Sequence, residues 1–277
     1  MVDAPSSSRT IAALVAYDGT DFYGFQVQDG VPTIQGALEE ALAACTGHFA
    51  RIAGSGRTDT GVHARGQVVS ATVTWRHSLE ALQRAWNSHL PSAVLVRRVV
   101  AAPPGFHPRF SATSRTYRYT VHQPVSPGDG VLLSRFPLVD RYSLVEPRPL
   151  DLAAMNQAAA HLVGEHDFAT FGQPPQGEST VRRIFQAEWQ PVHCDLPSLD
   201  PQPLQPLVFT VTANAFLRRM VRNLVGTLLE VGRGRRSPED VRQALAGQQR
   251  DLSAPPAPAQ GLVLERVQYP VEFELFG

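Results

Sequence analysis

The segment Gly56-Arg57-Thr58-Asp59-Thr60-Gly61-Val62-His63-Ala64 sets one carboxylate between two glycines in otherwise apolar surroundings. Glycines at 54, 56 and 61 open backbone conformations and close approaches denied to other residues, so Asp59 can be presented to a ligand as a nucleophile. The same residues also suit a glycine-rich turn in which Asp59 bonds its own backbone. Asp59 and His63 supply only two ligands, and no neighbouring Cys/His cluster supplies the rest, so no metal is expected. Further along, Arg218 and Arg222 stand four apart in a segment with helical spacing and share a face. An Arg222 turned to solvent is the ordinary arrangement; facing Asp59, it would favour the ionised carboxylate and keep a nucleophile ready at neutral pH. Tyr117 and Tyr119 lie on one face of a strand and Arg118 on the other; the tyrosines suit a core, or a groove in which one stacks on a nucleobase.

The elements that must position these residues follow from periodicity and capping. Strands are predicted at 11–18, 48–53, 66–75 and 93–102, with helices at 33–45, opened by Thr33, and from Ser78 to Leu90. In the second half, strands are predicted at 116–123, 181–192, 207–214 and 262–270. Helices are predicted from Asp151 to a C-cap at Gly164, over 215–232, and from a Ser237 cap with Pro238 in first position. This order reads as two successive βαββαβ units, an α+β fold of two ferredoxin-like halves. Each half would carry a mainly antiparallel sheet with helices on one face, with the active site in a groove between them. The boundary is placed in the Pro/Gly-rich stretch 101–108, giving an N-terminal half 1–109 that carries Asp59 and a C-terminal half 110–277 that carries Tyr117 and Arg222. No internal sequence repeat accompanies this order.

Composition narrows the chemistry. The 277 residues are enough for two ordinary domains, 43% are hydrophobic, and no apolar run reaches membrane-spanning length. Residues 1–9 lack the apolar centre of a secretory signal, and Cys45 and Cys194 are too few and too distant for a disulfide framework, so a cytoplasmic location is expected. The formal net charge is zero, yet all 25 basic residues are arginine. The absence of lysine excludes a lysine Schiff base and a lysine-bearing P-loop. Between Ala81 and Gly128 there are six arginines and no acid, and Pro201–Leu229 is a second acid-free interval, so basic patches are expected on a neutral chain. A tandem RNA-recognition module is the main rival reading, but its aromatic strand signature is missing from the nearest candidate, Arg65–Ser70.

Taken together, "YDGTDFYGFQ" (17–26), "TIQGALEEAL" (33–42), "GRTDTGVHARGQV" (56–68), "FHPRFSATSRTYRY" (106–119), "NAFLRRMVRNLVGTLLEVG" (214–232) and "QGLVLERVQYP" (260–270) resemble the tRNA pseudouridine synthase A family, in order and over nearly the whole chain. The resemblance implies an isomerase that converts uridine to pseudouridine at positions 38, 39 and 40 of the tRNA anticodon arm. It also implies a homodimer with tRNA as partner and no cofactor. It makes Asp59 the catalytic aspartate, Arg222 its paired arginine, and Tyr117 the tyrosine that packs on the flipped base and assists loss of the C5 proton. By the same resemblance Leu262 closes the pocket and Arg57 helps displace the target nucleotide. Thr60 stands where the family usually has Ala, and the proline-rich loop 195–206 is longer than is typical.

Overall fold

The computed structural model describes residues 8–125, 137–174, 179–192, 204–273 and 275–276. Residues 1–7, Cys194 and residues 195–203 of the proline-rich loop lie outside them; residues 204–206 begin a strand. The fold is α+β with largely antiparallel pairing, and the chain divides into two compact units. One comprises Met1–Arg115 with Leu264–Gly277, the other Thr116–Val263. The C-terminal segment from Leu264 thus folds with the first unit, where sequence order had grouped it with the second; membership of a sheet is set by edge pairing, which chain order does not record.

The first unit runs β1 (Ser8–Tyr17), α1 (Ile34–Thr46), β2 (Ala53–Gly54), β3 (His63–Thr74), α2 (Leu79–His89) and β4 (Val94–Ala101). Its strands are ordered β4-β1-β3, with β2 also pairing β3, which is the ferredoxin-like arrangement. Thr33 caps α1 by accepting from the Gly36 N–H, and Gly47 ends it in the left-handed conformation at φ 78°. Ser78 caps α2 in the same way through the Ala81 N–H. Along β1 the alternate residues Ile11, Ala13, Val15 and Tyr17 are buried. The buried Trp86 of α2 donates its ring N–H to Leu38 O of α1 at 3.0 Å, which fixes the helices against each other.

The second unit contains β5 (Ser114–Pro124, from Thr116 on), α3 (Pro137–Asp140), β6 (Leu144–Val145), α4 (Leu152–Ala160), β7 (Gly164–Asp167), β8 (Val181–Pro191), β9 (Leu204–Ala213), α5 (Met220–Gly232) and α6 (Pro238–Gly247). The strand β10 (Leu262–Gln268) begins in this unit and continues as part of the first, where it pairs with β3. Strand order here is β5-β9-β8-β7, with the short β6 parallel to β5. Met155, Phe168, Phe171, Trp189, Phe209, Leu224 and Leu228 form its core. Ser237 and Asp240 make a reciprocal capping box at the start of α6, with Pro238 in the first turn.

Three predicted elements are shorter than their sequence patterns. The run 48–53 yields only the two-residue β2. Helix α4 stops at Ala160, and Gly164, at φ 114°, opens β7 in place of capping the helix. Helix α5 begins at Met220, five residues later than the pattern from Ala215. Tertiary bonds hold the missing turn open: Asn214 Oδ1 accepts from the Arg183 and Ala215 N–H groups, the Arg218 N–H donates to Gln173 O at 2.9 Å, and Arg219 is left-handed at φ 61°. Arg218 therefore pairs in a β-bridge with Gln173 and does not share a helical face with Arg222.

Candidate active site

In the first unit Asp59 lies on the connection from β2 to β3, half-buried, between the buried Thr58 and the exposed Thr60. The segment that shapes this connection is residues 17–25. The Phe25 N–H donates to Thr58 O at 3.1 Å, the Gly61 N–H to Phe22 O at 3.4 Å, and the Val62 N–H to Asp59 O at 3.1 Å. Two glycines permit the approach. A Cβ on Gly19 would lie 2.1 Å from Val62 O, and one on Gly24, already at φ 88°, would lie 2.8 Å from Thr58 O. His63 is buried and its Nδ1 accepts from the Gly19 N–H at 3.0 Å, which gives it a structural role at this point.

Beneath the loop lies a buried polar network. The Tyr17 hydroxyl and Thr58 Oγ1 are 2.8 Å apart, and Gln67, fully buried in β3, reaches the Tyr17 hydroxyl at 3.5 Å and Gly56 O at 3.0 Å through Nε2. Gln67 Oε1 accepts from Ser55 Oγ at 2.5 Å. Burial pushes the Tyr17 hydroxyl up to about 12, against the opposing effect of its bonds to Thr58 and Gln67, so it remains a neutral hydrogen-bonding group at neutral pH. Polar groups at this depth stabilise only when they are satisfied together. Tyr17→Phe leaves Thr58 Oγ1 without this partner. Urea denaturation is expected to show a loss of about 1–2 kcal/mol; an unchanged midpoint would mean that the hydroxyl contributes nothing to anchoring the loop.

Arg57 is exposed, two residues before Asp59. In the second unit Tyr117 on β5 is half-buried and meets the Phe216 ring edge-on, with centroids 5.1 Å apart. Its neighbour Tyr119 is fully buried and donates its hydroxyl to Pro258 O at 3.0 Å, so the two tyrosines differ in environment. Burial raises the Tyr119 hydroxyl above its ordinary value, with the charge of Arg222 acting in the opposite direction. Arg222, in the first turn of α5, donates Nε to Ala257 O at 2.7 Å, while the Ala257 N–H donates to Arg222 O at 2.9 Å. Residues 254–261 form a strap over α5: a Cβ on Gly226 would meet Pro255 O at 2.1 Å, and one on Gly261 would meet the Tyr119 ring at 2.6 Å. The strap leads directly into the buried Leu262. Arg57 and Asp59 are thus neighbours in one unit, and Arg222, the strap and Leu262 are neighbours in the other, beside β5 with Tyr117.

The residues that sequence reasoning passed over are those that hold the named ones. Gln67 carried a legible signal, since it is a polar side chain directly before the apolar Val68 and Val69 of β3. Gly19 and Gly24 lie in the stretch 17–26, where no local pattern marks them as supports of the Asp59 loop. The strap had no signal in periodicity, because an extended Pro-rich segment has none.

The comparisons with known proteins bear on what these two clusters do. A family model described as tRNA pseudouridine synthase matches residues 13–111 and 158–270. The chain belongs to the tRNA pseudouridine synthase family. The matched stretches include Arg57, Asp59, Arg222 and Leu262, and Tyr117 falls in the interval between them. The chain is 43% identical to tRNA pseudouridine synthase A of Roseiflexus castenholzii over 262 residues, covering 95% of this chain and 91% of that one. It is 44% identical to the Chloroflexus aurantiacus protein of the same name (95% and 89% covered) and 40% identical to that of Geobacillus kaustophilus (95% of both). This is a family of isomerases, so the chemistry asked of the chain is a rearrangement within one nucleotide. Among the described residues no helix is long and apolar enough to cross a membrane.

Proposed function

We propose that this chain isomerises uridine to pseudouridine at positions 38, 39 and 40 of the tRNA anticodon arm, in the cytoplasm and as a homodimer, with Asp59 as the nucleophile. The observation that carries the reading is Asp59 itself, the single carboxylate on a loop fixed on both sides by main-chain bonds, in a member of this family. The carboxylate attacks the target nucleoside and the bond between ribose C1′ and uracil N1 breaks. The uracil turns, a bond forms from C1′ to C5 as the bond between the carboxylate and the nucleoside breaks, and the C5 proton leaves while N1 gains one. Atoms and electrons balance without an external oxidant or reductant.

Arg222 serves as the arginine paired with the catalytic aspartate, Tyr117 as the ring against the displaced base and an aid to removal of the C5 proton. Leu262 closes the pocket and Arg57 helps to displace the nucleotide from its stack. Taking a base out of a stacked arm requires a slot that accepts it and cations that hold the flanking phosphates. Pairing of two copies would join the arginine-rich, acid-free intervals into one surface, which accounts for tRNA binding by a chain of zero net charge.

The test is release of tritium from tRNA labelled at uridine C5, using transcripts that keep a uridine at only one of positions 38, 39 and 40. Release from each single-uridine transcript is expected; release that persists when all three are cytidine would overturn the assignment of positions. Sedimentation at working concentration is expected to show a dimer, and a monomer fully active at that concentration would remove the homodimer from the reading. Tyr117→Phe separates the ring from the hydroxyl. A fall in kcat of about 10²-fold with KM little changed is expected if the hydroxyl takes part in proton removal, and full activity would confine Tyr117 to stacking.

A further inference from the structure

The most exposed large aromatic among the described residues is Phe110, 74% exposed, on a turn that its surroundings hold rigidly. His107 Nδ1 accepts from the N–H groups of Arg109 and Phe110 at 3.1 and 3.3 Å, and the Ser111 hydroxyl accepts from the His107 N–H at 3.0 Å. Phe106 is buried against Tyr269, and the Tyr269 hydroxyl donates to Pro108 O at 2.8 Å. The Phe110 ring leans on His107 with centroids 4.4 Å apart, and the Arg109 guanidinium carbon stands 5.4 Å from its centroid. A solvent-facing aromatic with this much support costs little conformational entropy when it receives a flat partner.

Arg115 ties this turn to the Asp59 loop. Its Nη2 donates to Arg109 O at 2.7 Å and to Ser55 O at 3.1 Å, four residues before Asp59. Along the chain this turn belongs to a basic stretch, since Ala81 to Gly128 holds six arginines and no acid.

The geometry points to Phe110 as a stacking platform for an unpaired nucleobase of the RNA, on a turn held by Arg115 at a fixed distance from the Asp59 loop. The inference rests on the RNA-modifying reading above and adds a second base contact to it. An aromatic face accepts any base, so the platform contributes affinity and register, not base identity.

The probe is a fluorescein-labelled anticodon stem-loop RNA, titrated against wild type, Phe110→Ala and Phe110→Trp, with tritium release at saturating RNA measured in parallel. Phe110→Ala is expected to raise Kd about 10-fold and leave kcat within about two-fold, and Phe110→Trp to restore binding. Because Phe110 is exposed, thermal unfolding is expected to match wild type in both variants. A series of stem-loops with one abasic nucleotide each is expected to contain one RNA for which wild type and Phe110→Ala bind equally, which locates the stacked base. Equal Kd for Phe110→Ala and wild type, or a penalty that survives every abasic position, would overturn the platform. A shift of Phe110→Ala from dimer to monomer in sedimentation would overturn it too, by assigning the ring to a second copy. Phe110-dependent binding by a wild type that releases no tritium would uphold the platform and remove the synthase reading, so the two fail separately.

Discussion

Asp59→Asn is expected to bind tRNA within about two-fold of wild type and to lower tritium release by at least about 10⁴-fold, the scale on which enzymes lose rate when their nucleophile is removed. The substitution keeps the shape of the side chain and removes its charge and nucleophilic oxygen. The main-chain bonds that set the loop, from Phe25 to Thr58 O and from Val62 to Asp59 O, are left in place, so the variant should fold. The gap between binding and turnover is the informative quantity. An interaction used equally in ground and transition states changes affinity, whereas a nucleophile is used only on the way to product. Measurable turnover by the variant, with mass spectrometry showing no reversion of Asn to Asp, would displace Asp59 from the role of nucleophile.

Gly24→Ala is expected to have the second-largest effect, although residue 24 bears no side chain and takes no part in the chemistry. At φ 88° an alanine is strained, and its Cβ would stand 2.8 Å from Thr58 O and 3.3 Å from both the Asp59 carbonyl carbon and the Thr60 nitrogen. The left-handed conformation costs roughly 1–2 kcal/mol and the forced contact about 1–3 kcal/mol, so urea denaturation should show a loss of about 2–5 kcal/mol. The contact is with main chain, which cannot rotate away, so the Asp59 loop itself must move. Displacement of a reacting group by about 1 Å costs on the order of 10²-fold in rate. Gly30 supplies the control: its φ is 75°, and a Cβ there would meet nothing within 4 Å. Gly30→Ala should lose about 1 kcal/mol and keep its kcat. Equal kcat values for the two alanine variants would show that the 17–25 segment does not position Asp59.

The amino-acid order by itself determined the α+β class, most of the strands, and the helix starts at Thr33, Ser78, Asp151 and Ser237, each confirmed by a side-chain cap. These are local properties: alternation, helical spacing, and a short polar side chain that satisfies an orphan N–H within three residues. Asp59 was legible for the same reason, because a carboxylate between glycines is a local pattern. The start of α5 was not, since apolar spacing from Ala215 favours helix while Asn214, Gln173 and the left-handed Arg219 impose another course. Nor was the attachment of residues 264–277 to the first unit, which depends on which strand edge β10 pairs with. The partners of Asp59's loop are some forty residues away in sequence, at Tyr17, Gly19 and Gly24. Only folding brings a tyrosine hydroxyl under Thr58 and a glycine against its carbonyl. What the sequence could name was a candidate carboxylate; where that group is held was decided by long-range contacts that no local pattern encodes.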